Sequence, residues 1–267
     1  MLTGRLPPTR PYRCRARDGL DLPGYWTPPG PGPGPHPTVV LVHGGPWFRD
    51  TWEWDPQVAW LTTRGYGCLR VDYRGSTGWG KRHVHAGHRQ WGAAMQDDLH
   101  DALDHAVARG WADPRRIAVM GASYGGYAAL LAATATPGRF RCAVALAGPT
   151  DLVAFLRAVP ADPPSARHLW WSRVGDPDDP ADAERLRRAS PLTHIGPRTA
   201  PILLAHGAHD PRVPPEHTER FVAAARTAGA TVEQLTFPDE GHGLTAPANV
   251  VAFHTAAQRF LSRHLPA

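Results

Sequence analysis

The chain has 267 residues, enough for one generous domain with a sizeable core, and 42% of them are hydrophobic. Its formal charge of +5 comes from arginine, with Lys81 the single lysine, and no basic run alternates with aromatics, so no nucleic-acid groove is expected. No apolar run nears the length of a membrane span and none follows Met1 as in a secretory signal; Cys14, Cys68 and Cys142 are too scattered for a disulfide framework or a metal site, so the expectation is a cytoplasmic protein without membrane contact, metal or cofactor.

Residues 1–37 are proline-rich. Tyr12 to Ala16 and Leu20 to Trp26 are expected to pair as an antiparallel hairpin around Asp18-Gly19, a strong turn dipeptide. Pro28 to Pro37, with glycine at 30, 32 and 34, reads as loop. From Thr38 the rhythm changes. The runs Thr38–His43, Gly67–Asp72, Arg116–Gly121, Arg141–Ala147, Pro201–Gly207 and Val232–Phe237 have the length and apolarity of buried strands. Helical patterns fall between them at about 53–65, 91–109, 124–135, 215–228 and 248–264. Such alternation predicts an α/β fold, a mostly parallel sheet covered by helices on both faces. Residues 148–200, rich in Pro and Asp, interrupt it and are expected to form short helices as a cap or lid. The division expected is an arm over 1–37 and one catalytic domain over 38–267 carrying that insertion.

Ligands of such sheets bind at the carboxyl ends of the strands. The third run ends in Gly121-Ala-Ser123-Tyr-Gly125 and an alanine-rich helical pattern follows: strand, G-x-S-x-G, helix, the nucleophile elbow of an α/β-hydrolase. The turn is sharp, and a Cβ at either glycine would clash. A serine hydroxyl needs a base, and the base an orienting acid. His242, between Gly241 and Gly243 after the last strand, is the best base, and Asp210, after the preceding strand, the best acid. The chain order Ser123, Asp210, His242 is the one this fold uses. His206 is expected to support the Asp210 loop, and Asp239 and Glu240 to be turn residues. Two backbone N–H groups are expected to meet the developing oxyanion: Tyr124, directly after the nucleophile, and Gly44, in the His43-Gly44-Gly45 loop after the first strand of the alternation.

With these residues in view, the chain resembles the catalytic domain of the prolyl oligopeptidase family, in particular its acylaminoacyl-peptidase-like branch. The likeness rests on Leu41-Val-His-Gly-Gly-Pro-Trp47, Val71-Asp-Tyr-Arg-Gly-Ser-Thr-Gly-Trp-Gly80, Trp91-Gly92 with Asp97-Asp98, Gly121-Ala-Ser-Tyr-Gly-Gly126, His206-Gly to Asp210-x-Arg212-Val-Pro, and Asp239-Glu-Gly-His-Gly243. It implies a serine peptidase for short peptides with blocked or free N-termini, with Arg212 on a substrate carbonyl and Trp170 and Trp171 walling the specificity pocket. Some relatives place a tyrosine oxyanion donor where His43 stands, so here the main chain at Gly44 must serve. Relatives usually carry an N-terminal β-propeller over the site, and the roughly 37 residues preceding the alternation hold none. The expectation is a propeller-less hydrolase or a separated catalytic domain, with Trp47, Phe48, Trp52 and Trp54 uncovered and copies of the chain associating through them. A carboxylesterase for small acyl esters and a non-catalytic scaffold are the alternatives.

Overall fold

The computed structural model describes residues 7–160 and 163–266. Within them one sheet holds eight strands: β1 (Arg10–Arg15), β2 (Asp21–Thr27), β3 (His36–Val42), β4 (Gly67–Val71), β5 (Ala112–Ala122), β6 (Cys142–Leu146), β7 (Ile202–Gly207) and β8 (Val232–Phe237). Their spatial order is β1-β2-β4-β3-β5-β6-β7-β8. The first two strands form the expected hairpin, β2 runs antiparallel to β4, and every later pairing is parallel. The helices are α1 (Pro56–Thr62), α2 (Lys81–Ala86), α3 (Ala94–Ala108), α4 (Tyr124–Ala135), α5 (Leu152–Ala158), α6 (Pro164–Arg173), α7 (Pro180–Arg188), α8 (Glu216–Thr227) and α9 (Pro247–His264).

The central strands are apolar on both faces because both faces are covered. On β3, Val39 and Leu41 pack with Val58 and Leu61 of α1 and Phe253 and Phe260 of α9. Val40 and Val42, pointing the other way, join the larger core with Leu99 and Leu103 of α3, Leu130 of α4 and Phe221 of α8. Each such side chain, fully buried, contributes about 1.5–3 kcal/mol. Register is therefore firmly set, since a one-residue slip would change the face of every side chain. Helix starts are equally local: Asp55, Asp151 and Asp179 each accept an N–H of the first turn that follows.

Two expectations needed adjusting. β5 begins at Ala112, four residues before the apolar run, and passes an irregularity in its pairing with β3. Asp113, Arg115 and Arg116 hide this start, because charged residues interrupt the apolar run there: Asp113 is buried and accepts from Arg115 N and Arg116 Nε. Helix α2 has no apolar period to announce it, and only His83 of its six residues is buried.

The topology fixes where a site can lie. From β3 the chain goes to β4 on one side and then returns to β5 on the other. A crevice opens where the order reverses, between the carboxyl ends of β3 and β5. The loop after β4 is tied there by Arg74, whose Nε and Nη2 donate to Asp98 of α3 at 2.8 and 2.7 Å. The same guanidinium donates to Asp18 in the β1–β2 turn at 2.7 and 3.0 Å.

Candidate active site

Ser123 stands between β5 and α4 with φ 57° and ψ −120°, a backbone region that costs a non-glycine residue about 1–3 kcal/mol. The neighbours over-determine it. Ser123 N–H donates to Leu146 O of β6 at 2.8 Å, and Tyr127 N–H donates back to Ser123 O at 2.9 Å. A Cβ on Gly125 would lie 2.1 Å from Val42 O, and one on Gly121 would lie 2.5 Å from the Gly125 carbonyl carbon. The elbow thus closes only with glycine at both positions. Although Ser123 occupies the N-cap position of α4, its hydroxyl makes no cap bond.

That hydroxyl faces His242, with Oγ 2.9 Å from Nε2. His242 follows β8, and its Nδ1 lies 2.7 Å from Asp210 Oδ2. A carboxylate only accepts, so Nδ1 carries the hydrogen and Nε2 is left to take a proton from Ser123. Asp210 follows β7 with its side chain fully buried. Burial opposes its ionisation, but hydrogen bonds from His206, His242 and the N–H groups of Val213 and Arg212 outweigh it and hold the carboxyl below the usual carboxylate range. His206 also reaches Thr218 Oγ1 at 2.6 Å and Val213 O at 2.9 Å, which makes it a brace for this loop. Glu240 is occupied elsewhere: it accepts from Thr245 N, Thr245 Oγ1, Ala246 N and Asn249 Nδ2 and so shapes the turn that carries His242.

Gly44 and Tyr124 border the same space. A Cβ on Gly44 would sit 3.6 Å from Ser123 Cβ, so the loop after β3 lies directly on the nucleophile. Neither the Gly44 nor the Tyr124 N–H donates to a protein acceptor among the described residues. Two unpaired donors beside a serine oxygen are what a developing oxyanion requires.

A cleft of about 470 Å³ opens over Ser123 and His242. Its walls are chiefly apolar: Trp91, Phe155 of α5, Val159 and Trp170 of α6. The Trp170 ring packs edge-on against Phe155, with centroids 5.3 Å apart. Trp171 is the exception to the expected wall. Consecutive helical residues point about 100° apart, so Trp171 turns from the cleft, donating its indole N–H to Leu156 O at 3.2 Å within the insertion. Trp47 corrects another expectation, being half-buried against Trp170 with Arg173 stacked over it. Phe48, Trp52 and Trp54 are 62%, 67% and 71% exposed. Trp91 and Phe155 carried no expected role. Trp91 belongs to the Trp91-Gly92 motif, but Phe155 sits in a short helix whose sequence gives no sign of which cavity it meets.

Arg212 reaches the cleft mouth, and among the described residues its guanidinium makes no hydrogen bond or ion pair. Among the described residues no carboxylate lines the cleft. One trio of potential metal ligands, His43, Asp50 and Asp72, gathers behind the loop after β3, with ligand atoms within 4.8 Å of one another. Arg70, itself buried, places a guanidinium nitrogen 3.5 Å from Asp50, and Asp72 accepts from Asp50 N and Trp79 Nε1. That cluster already contains a fixed cation. No described helix is long and apolar enough to cross a membrane.

Known proteins are similar to this chain in sequence and fold. A profile described as prolyl oligopeptidase family matches residues 52–267. Dipeptidyl aminopeptidase BIII of Pseudoxanthomonas mexicana is 40% identical over 97% of this chain and 39% of its own length. The acylamino-acid-releasing enzyme of Arabidopsis thaliana is 30% identical over 79% of this chain and 28% of its own. A puromycin-hydrolyzing peptidase of Mycobacterium tuberculosis superposes with a TM-score of 0.86 at 34% identity, over 97% of this chain and 40% of that one. The chain therefore spans about two fifths or less of the relatives it matches.

Proposed function

Because this chain belongs to the prolyl oligopeptidase family, we propose that it is a serine peptidase cleaving short peptides after an apolar residue, through an acyl-enzyme on Ser123. The observation that carries this reading is the hydrogen-bonded line Ser123 Oγ, His242, Asp210 at 2.9 and 2.7 Å, at the floor of an apolar cleft. Ser123 attacks the scissile carbonyl while His242 Nε2 takes its proton. The Gly44 and Tyr124 N–H groups receive the charge that forms on the carbonyl oxygen. The imidazolium, steadied by ionised Asp210, returns the proton to the leaving amine, and water then releases the acyl group by the same steps in reverse. The apolar wall of Trp91, Phe155, Val159 and Trp170 favours an apolar side chain on the acyl side of the bond. Likeness to dipeptidyl and acylamino-acid-releasing enzymes supports release of short N-terminal units.

Arg212 separates peptide from ester use. Its unpaired guanidinium at the cleft mouth suits a substrate backbone carbonyl two or more bonds from the reacting one. In Arg212→Ala, kcat/KM for a peptide anilide is expected to fall about 10–100-fold, roughly the worth of one charged hydrogen bond. Turnover of a short acyl ester, too small to reach position 212, is expected to persist. Equal loss with both substrates would show that Arg212 acts on the loop and not on the peptide.

A further inference from the structure

The loop after β4 holds a tyrosine that the chemistry above does not use. Tyr73 is fully buried, and its hydroxyl donates to the carbonyl of His43 at 3.0 Å. We propose that Tyr73 is the positioning residue of the oxyanion hole: by holding the His43 carbonyl it aims the Gly44 N–H of the same peptide unit at the reacting oxygen. The inference rests on the peptidase reading and adds to it a residue that never touches substrate.

The argument is one of peptide geometry. In a trans peptide the C=O of one residue and the N–H of the next point in opposite directions within one plane. Fixing the His43 oxygen toward Tyr73 therefore fixes the Gly44 N–H toward the side that lines the cleft. The next carbonyl is fixed too. His43 Nδ1 donates to Gly44 O at 2.8 Å, so the oxygens on both sides of Gly44 have partners while its N–H has none among the described residues. Without these tethers the segment would be free to turn, since Gly44 and Gly45 are both glycine and Gly45 already sits at φ 125°. A side chain at position 44 would be crowded, since a Cβ would lie 3.2 Å from Ala122 O.

The tether is itself well supported. The rings of Tyr73 and His43 stack at 4.4 Å with planes 15° apart. Ser76 Oγ lies 2.9 Å from His43 Nε2 and 2.7 Å from Tyr73 O, so one hydroxyl braces both residues. On its far side the Tyr73 ring packs 5.0 Å from that of Tyr124, the residue bearing the other oxyanion donor. Burial pushes the Tyr73 phenol well above the usual tyrosine range, so its O–H is retained wherever the enzyme works.

Tyr73→Phe removes one oxygen from this arrangement and little of its packing. With a short acyl ester, kcat is expected to fall about 10–100-fold, up to what loss of one oxyanion donor costs, while KM stays within about twofold. Affinity for a peptide boronic acid, whose adduct on Ser123 carries a negative oxygen, is expected to fall in parallel. Affinity for the corresponding neutral peptide amide, a ground-state ligand, is expected not to change. p-Aminophenylalanine at position 73 keeps a donor in place and is expected to restore most of the lost kcat, which a packing role would not explain. Rates are taken per active site, titrated to completion with a fluorophosphonate. If kcat and boronate affinity of Tyr73→Phe stay within about threefold of wild type, or if amide affinity falls as far as boronate affinity, the inference is overturned. A wild type without Ser123-dependent turnover would overturn the peptidase reading as well, so the two failures are distinct.

Discussion

His242→Ala is expected to lower kcat by about 10⁴-fold or more on any acyl substrate, with KM little changed. The size follows from what the imidazole does in each half-reaction. It removes the proton from Ser123 Oγ, 2.9 Å away, and later delivers it to the leaving amine. A serine hydroxyl left without a base is almost entirely un-ionised near neutral pH. Asp210→Asn tests the same line from its other end. The amide offers an N–H toward Nδ1, inviting the tautomer in which Nε2 bears the hydrogen and cannot accept from Ser123. A loss of about 10⁴-fold is expected there as well. Stopped-flow acylation by an activated ester measures both, and a drop smaller than about tenfold in either variant would remove the residue from the chemistry.

Asp98→Asn is expected to cost about 3–5 kcal/mol of stability, the largest effect foreseen for a residue outside the cleft. Asp98 is fully buried and Arg74 nearly so, at 0% and 7% side-chain exposure. Their bidentate pair keeps a guanidinium charge-balanced in the interior, and removing the carboxylate charge leaves that guanidinium without its buried partner. Asp18 supplies the control. It holds the opposite edge of Arg74 but is half exposed, so Asp18→Asn is expected to cost under about 1 kcal/mol. Urea unfolding of the two variants reads the difference directly. Since Arg74 follows Tyr73, loosening it should also lower kcat before the protein unfolds. Equal, small losses in both variants would mean that the Arg74 charge finds water when Asp98 is neutralised.

Most of the fold was legible because its signals are local and repeated. Val39 to Val42 and Leu203 to Ala205 are strands with no polar face, which only a sheet covered on both sides explains. The nucleophile elbow was legible because its glycines are required by contact with Val42 and with each other. The partners of Ser123 were legible because strand ends gather at one edge of a parallel sheet, so Asp210 and His242 could be paired across 32 residues of sequence. The pocket was less so. Trp170 and Trp171 are adjacent and identical in type, and only the rotation of α6 decides that one meets the cleft and the other the Leu156 carbonyl. Tyr73 lies in the Val71–Gly80 motif, yet its bond to the His43 carbonyl depends on how two loops meet. Sequence names such residues without saying which atom they hold.

Whether Ser123 cleaves peptide bonds is read most directly by mass spectrometry of a short-peptide library incubated with the wild type and with Ser123→Ala. Short N-terminal fragments ending in an apolar residue are expected from the wild type and none from the variant. Intact peptides from a wild type that still reacts with a fluorophosphonate, or the same fragments from Ser123→Ala, would contradict the peptidase assignment.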